Sequence, residues 1–552
     1  MELTVHPTVA CDVLIIGDGG AALRAAIEAR KSNVEVLLVS RSRIGYGNNT
    51  AIAGGAVAAA TGYRDPKDSP EVYFQDTIRG GRYMNHQKMV EVMAERSTEE
   101  VKNLQEYGVQ FRKRNGEFSV AWLPGHTYPR TLSTVNTIGT DFTLPLINFA
   151  ERVGVRFIEK VLITRLLRKG GVVAGALGLS EKGEIYLFTT KAVVLATGGL
   201  SQVFARTDNA VGTTGDGMVL AYEMGVPLAD MEFVQYYPTS LGERGGRGVL
   251  YEVLVAREGG KLRNTLGEDI LEKRGIREGI LMTRDVVSRA IAEEVYAGRG
   301  IGDFVTLDLS SILDERLDRL AAALPRGFSR TKKTILVRPN AHFTCGGIKT
   351  DEEAKTNVEG LFAAGEVCAG VHGANRIASN AITEIFVFGG VAGRGAAEHA
   401  LKITGSTPEP PDVSRDVDEL KRIAARSGKE NIDELRRSLR KMMWEKAGMI
   451  RSEQSLDQAL ADIDSLKVQI EHVSMGDYKE LRQVLTLANM LTVSEMVARA
   501  AVKRTESRGV HYRIDYPESN DKRWLMNVLI SKERGRMSLS TTPVLLSGFA
   551  PD

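Results

Sequence analysis

Short apolar runs and longer amphipathic stretches divide the chain into strands and helices. CDVLIIG (Cys11–Gly17) is a β-branched run of the kind a strand buried on both faces needs, and VEVLLVS (Val34–Ser40) is a second. Between them the alanine-rich GGAALRAAIEAR (Gly19–Arg30) reads as a helix, so the opening segment predicts a βαβ unit. Strand-then-glycine signals recur in KAVVLATGG (Lys191–Gly199) and EGLFAAGEV (Glu359–Val367). Three such signals predict one nucleotide-binding domain assembled from separated segments, with the intervening sequence inserted as a cover.

The pattern changes near Gly405, where GSTPEPPD is proline-rich and polar and reads as a linker. Beyond it Ile432, Leu435, Leu439 and Met442 recur at helical spacing, as do Leu456, Leu460, Ile463, Leu466 and Ile470. These stripes predict the core of an all-helical domain and carry no chemistry. The expected organisation is an α/β Rossmann-like domain in two pieces, 1–229 and 346–404, with an inserted α+β capping domain at 230–345. A linker at 405–412, a helical domain at 413–510 and a C-terminal extension at 511–552 complete it.

A chain of 552 residues exceeds what one core sustains, which agrees with several domains. Lys+Arg 72 against Asp+Glu 70 leaves a net charge of +2 without runs of like charge, which argues against nucleic acid. The three cysteines, Cys11, Cys345 and Cys368, form no CxxC pair, so the chain cannot build an iron–sulfur cluster or a covalent haem, and no metal site is expected. No run reaches about 18 apolar residues and no signal peptide is evident. A cytoplasmic protein without direct membrane insertion is expected.

The first turn reads GDGGAA, and Gly17, Gly19 and Ala22 fit G-x-G-x-x-G/A in the strand–helix context that this fingerprint needs. Glycines there let the backbone approach a pyrophosphate at a helix N-terminus. At the end of the second strand, where an acid would hold an adenosine ribose, stand Ser40 and Arg41. A plain NAD(P) enzyme would also need a second βαβ unit with its own glycine turn, and none is found.

The stretches GLFAAGEVCAGVHGANRIASNAITEIFVFG (Gly360–Gly389), MEFVQYYPT, TRDVVSRA, HFTCGG and RTESRGVHYRIDYP resemble, in order, segments of the flavoprotein subunits of succinate dehydrogenases and fumarate reductases. The resemblance runs from the first strand to about Ile530. It implies FAD, with the pyrophosphate on Gly17, Asp18, Gly19, Gly20, Ala21 and Ala22, Thr197 and Gly198 beside it, cofactor hydroxyls on Asp216 and Glu366, and Asn380, Ala381 and Ile382 along the flavin. Members that tether their flavin carry a histidine in the loop that here reads RIGYGNNTAIAGG (Arg43–Gly55). This loop offers Asn48, Asn49 and Thr50 before Gly54 and Gly55, and no histidine lies between His6 and His86. Non-covalent FAD is therefore expected, as in the soluble, thiol-dependent fumarate reductases.

The same resemblance makes His342 and Arg376 the clamps of a dicarboxylate and Arg284 the proton donor, with electrons exchanged through a separate iron–sulfur subunit. Two departures qualify the substrate. Tyr237 stands where the family has histidine before Pro-Thr, and a glutamate-and-arginine segment appears with altered spacing as YEVLVAREGG (Tyr251–Gly260), leaving Glu252, Arg257 and Glu258 as candidates. L-aspartate oxidase, a reductase of another unsaturated acid, and a non-catalytic flavin electron-transfer subunit remain as alternatives. Arg338, which precedes a proline, is expected to anchor the inserted domain, and Cys345 and Cys368 are expected to pack.

Overall fold

The computed structural model describes residues 2–241, 251–276, 282–320, 324, 328–405, 409 and 411–551, with the side chains of 251, 252 and 319 excepted. Half of the expected linker, 406–408 and 410, therefore lies outside the described residues. The separated glycine-signal strands do meet in one parallel sheet, ordered Arg156–Ile158, Val36–Val39, Val13–Ile16, Ala192–Leu195 and Leu361–Ala363. Alternate residues of each strand face opposite ways. Val13, Ile15, Val36, Leu38 and Val194 join one core, with the helices Gly20–Arg30 and Asn380–Lys402. Leu14, Ile16, Leu37, Val39 and Leu195 join the other, with the antiparallel strands Val161–Lys169, Val172–Ser180 and Glu184–Thr189.

The cap is a four-stranded antiparallel sheet of Val234–Leu241, Thr334–Thr344, Val305–Asp308 and Lys261–Arg263. The helix Arg284–Tyr296 lies against it, with the Ser288 hydroxyl donating to the Tyr236 carbonyl at 2.9 Å. Arg338 sits mid-strand opposite Ser240, with its guanidinium 4.6 Å from the Phe304 ring centroid and 3.7 Å from Asp303. Both partners belong to the cap, as expected of an anchor for the inserted domain.

The stripes expected to be helical core are so. Ile432, Leu435, Leu439 and Met442, and Leu456, Ile463, Leu466 and Ile470, are buried, while Leu460 is partly buried against them. What the sequence did not suggest is the use of the C-terminal extension. Its hairpin, Met526–Glu533 and Arg536–Pro543, pairs with Leu228–Ala229, which in turn pairs with Gly347–Ile348. Those two short strands flank the inserted cap, so one small sheet holds both chain crossings.

Beneath this sheet Arg504 is fully buried. It donates to Glu232 at 2.5 Å, Glu506 at 3.2 Å and Asp230 at 3.3 Å, and to the carbonyls of Trp524 and Met526. Burial, and then the neighbouring Glu232, push the Asp230 carboxyl up to about 7. One guanidinium thus balances three buried carboxyls from the cap entrance and the C-terminal segment. Arg504→Met should strand them at a cost of roughly 3–5 kcal/mol, read as a lower urea midpoint for the purified chain. An unchanged midpoint would show that the cluster contributes nothing net.

Candidate active site

The carboxyl ends of the parallel strands converge on one edge, the place where open α/β sheets bind their ligands. Gly17 has φ +139°, and a Cβ there would lie 2.1 Å from the Ala196 carbonyl oxygen, so only glycine lets these two strand ends touch. Gly54 and Gly198 face open space, whereas the Thr197 hydroxyl beside them is buried without a partner. Open glycine walls next to an orphaned hydroxyl form a cradle that fits a nucleotide cofactor.

The predicted cofactor residues are drawn together, but several have structural partners. Thr50 Oγ1 accepts from the Gly20 amide at 3.1 Å, and the Asn48 side chain donates to the Asp18 carbonyl at 3.0 Å while accepting from the Ala51 amide at 2.9 Å. These two residues build the loop. Asn49 donates to Glu366 at 3.0 Å and to Asn209 at 2.8 Å. Ser40 is buried and accepts from the Ser42 amide at 3.0 Å.

Asp216 likewise has structural partners. Its carboxylate is taken by Arg41, by the Thr214 hydroxyl at 2.7 Å and by Asn489 of the long helix Tyr478–Lys503 at 2.8 Å. Arg41, standing where an acid was expected, pairs with Asp216 and also donates to Thr486 of that helix, bracing the helical domain. The Asn380 side chain likewise bonds Tyr73 and Thr77 at 3.0 Å each, leaving the start of its helix to act through backbone. Ala381 and Ile382 follow it in the first turn and are partly buried.

At the seam between cap and sheet edge, Tyr237 lies beside the predicted proton donor and one predicted substrate clamp. The Arg284 guanidinium lies 4.8 Å from its ring centroid and the His342 ring 5.3 Å. Arg376 lines a small cavity together with Arg284, Met282, Thr283 and Pro124, and its guanidinium lies 4.8 Å from the Phe343 ring centroid. Gln235 of the cap strand donates to the Arg376 carbonyl at 2.7 Å. His342 Nδ1 is 2.9 Å from Asp208 Oδ2, and Asn209 donates to the His342 carbonyl at 2.7 Å. Burial lowers the His342 pKa below its ordinary value, with Asp208 opposing and Arg284 and Arg376 reinforcing.

Arg257 is not brought to this cluster. Its guanidinium is 43% exposed and bonds Glu258, which also takes Arg316 at 2.6 Å on the outside of the cap. The side chain of Glu252 lies outside the described residues. Cys345 and Cys368 are buried, with thiols pushed up by desolvation, to about 12 for Cys345, as packing residues are. Sequence reasoning missed Asp208, the orienting partner of His342 134 residues away, and Glu384, whose carboxyl accepts from the Gly365 amide at 3.2 Å. Neither sits in a pattern that marks it.

Comparison with known proteins shows the family to which the chain belongs. Residues 12–382 match the family described as FAD binding domain, and residues 436–552 match that described as fumarate reductase flavoprotein C-term. One subunit of the CoM/CoB fumarate reductase of Methanothermobacter marburgensis is 36% identical, over 95% of this chain and 97% of its own length. The succinate dehydrogenase flavoprotein subunit of Coxiella burnetii is 34% identical, over 95% and 94%. The flavoprotein chain of an E. coli quinol fumarate reductase variant superposes with a TM-score of 0.91 at 30% identity, covering 99% of each chain. The chain belongs to the fumarate reductase/succinate dehydrogenase flavoprotein family. It is an FAD-dependent oxidoreductase with the discontinuous FAD domain, cap and helical domain of that family. Among the described residues no helix is long and apolar enough to cross a membrane.

Near the family's cofactor site, burial, and then Glu366, push the Glu384 carboxyl from 4.5 to about 8. A folded-state pKa raised above the unfolded one penalises the native state once the free acid would ionise, so stability falls as pH rises from 4.5 towards about 8. Glu384→Gln should flatten that fall, with melting temperature compared across the window. An equally steep fall in the variant would place the titration elsewhere.

Proposed function

We propose that this chain is the catalytic flavoprotein subunit of a fumarate reductase or succinate dehydrogenase. In this reading Arg284 moves the proton, His342 and Arg376 hold the two ends of a C4 dicarboxylate, and a separate iron–sulfur subunit exchanges electrons with the flavin. The observation that carries it is the meeting of Arg284, His342 and Arg376 at the seam where the cap covers the sheet edge. A dianion needs donors at both ends and stabilisation of the charge that builds up as the alkene is reduced.

FAD, when bound, supplies or accepts the hydride. It would be held by the Gly17–Ala22 turn, Thr197, Gly198 and Glu366, with the start of the helix Asn380–Lys402 along the flavin, and without a covalent tether. Arg284 donates a proton to the other alkene carbon and is reprotonated at once, since a guanidinium does not stay deprotonated. His342 gives Nδ1–H to Asp208, so Nε2 donates to a substrate carboxylate only when the ring is protonated. Three scattered cysteines are too few for a four-thiolate cluster, which supports the electron-transfer partner.

Anaerobic reoxidation of the chemically reduced protein by fumarate tests the reading directly. Arg284→Ala should abolish it while leaving the FAD content intact, and loss of FAD would give Arg284 a structural role instead. Reoxidation by crotonate and not by fumarate would favour a reductase of another unsaturated acid, the alternative that the uncharged Tyr237 supports. Acid precipitation should release all the flavin into the supernatant, and colour kept in the pellet would defeat the non-covalent assignment.

The pH dependence follows from His342. Its charged form is lost as pH rises through a pKa below 6.5, so KM for fumarate should climb from about pH 5 to about pH 8. A flat KM would mean that the neutral ring serves.

A further inference from the structure

The turn joining the helices Pro70–Gly80 and Gln87–Glu106 belongs to the FAD domain and is strained. Arg82 and Tyr83 both adopt left-handed backbone, with φ +57° and +60°. Two consecutive non-glycine residues in this region persist only where the surroundings hold them, and such strain collects at functional sites. The turn is held from two sides. The Ala374 amide donates to the Gly81 carbonyl at 2.9 Å, and Arg508 of the C-terminal segment donates to the Arg82 carbonyl at 3.3 Å.

The strained backbone aims the Arg82 side chain at the cap. Its Nη2 donates to Asp285 Oδ2 at 2.6 Å and to Thr283 Oγ1 at 3.3 Å, and its Nε donates to the same carboxylate at 3.2 Å. Thr283 in turn donates to Asp285 Oδ1. Thr283 precedes the first turn of the helix Arg284–Tyr296 and Asp285 is its second residue. One guanidinium therefore fixes the residues on both sides of Arg284, the first residue of that helix. The Asp285 side chain is 4% exposed and Arg82 holds its carboxyl below the ordinary range against the opposing effect of burial. A cavity of about 320 Å³, lined by Arg82, Asp285, Val286, Arg289, Ser507 and Arg508, lies on this face of the helix. Arg284 lines the other cavity, with Arg376.

We infer that Arg82 is a positioning residue for proton transfer: it latches the first turn of the cap helix to the FAD domain and so sets where the Arg284 guanidinium stands. The inference rests on the proposed role of Arg284, but the latch itself does not need that role. A displaced donor costs catalysis far more than binding, since a misplacement near 1 Å is worth on the order of 100-fold.

The test uses FAD-loaded Arg82→Ala, Arg82→Lys and Thr283→Val, reading amide hydrogen exchange at 284–287 together with kcat and KM for fumarate. Arg82→Ala should exchange faster there and lose kcat by roughly 100-fold, with KM within about threefold and flavin content kept. Arg82→Lys keeps the charge but not the fork, and should recover about tenfold of the loss. Thr283→Val removes one arm only and should give a smaller loss of the same kind, deciding the matter if Arg82→Ala does not fold. Unchanged exchange and kcat in a folded Arg82→Ala protein would overturn the latch, as would a loss confined to KM. If the wild-type protein fails to reduce fumarate, the proposed function falls and exchange at 284–287 alone judges the latch.

Discussion

The structure is organised around bringing two guanidiniums and a histidine to one seam between the cap and the FAD domain. Arg284, Arg376 and His342 converge at a largely buried seam, and each arrives with a partner that offsets the repulsion. Arg284 lies on the face of Tyr237 and Arg376 on that of Phe343, where the ring quadrupole attracts the guanidinium without neutralising it. His342 has Asp208. A ring face, unlike a carboxylate, steadies a guanidinium without cancelling its charge, so both ring contacts are compatible with an incoming dianion.

Such a cluster straddles two bodies, so its geometry depends on how the cap is attached. Hydrophobic contact is too unspecific in direction to set a guanidinium within a fraction of an ångström, whereas forked ion pairs have that specificity. The attachments are of that kind. Arg206 of the FAD domain pairs with Asp303 of the cap, Arg82 pairs with Asp285, and the Arg504 cluster lies beneath the chain crossing into the cap. The C-terminal hairpin then pairs with the crossing strand itself. The last 40 or so residues, read from sequence as an extension, thus brace the strand that leads into the cap.

What the sequence showed was whatever is local. Buried strands, the glycine turn, helical stripes and short motifs each depend on spacing within about 20 residues, and all of these appear in the fold. The pairings that escaped did so for the opposite reason. Asp208 meets His342 and Asp216 meets Arg41 across more than a hundred residues, and Glu384 lies mid-helix in an apolar run. Arg41 is the instructive case: it looked like a missing ribose-binding acid, and it is half of an ion pair whose other half had been assigned to the cofactor. A residue that departs from a pattern can have its partner far away in sequence, and only the fold shows where.

Tyr237 is the second such departure, and here the fold shows what the change does. A histidine in its place would add a second titratable ring beside Arg284 and His342, and its charged form would be repelled by the guanidinium. Tyrosine gives a ring face to one neighbour and a ring contact to the other, so it avoids that repulsion and keeps a hydroxyl that can donate. Under the proposed function, such a site leans more heavily on Arg376 and protonated His342 to hold its anion, and hence on the pairing of His342 with Asp208.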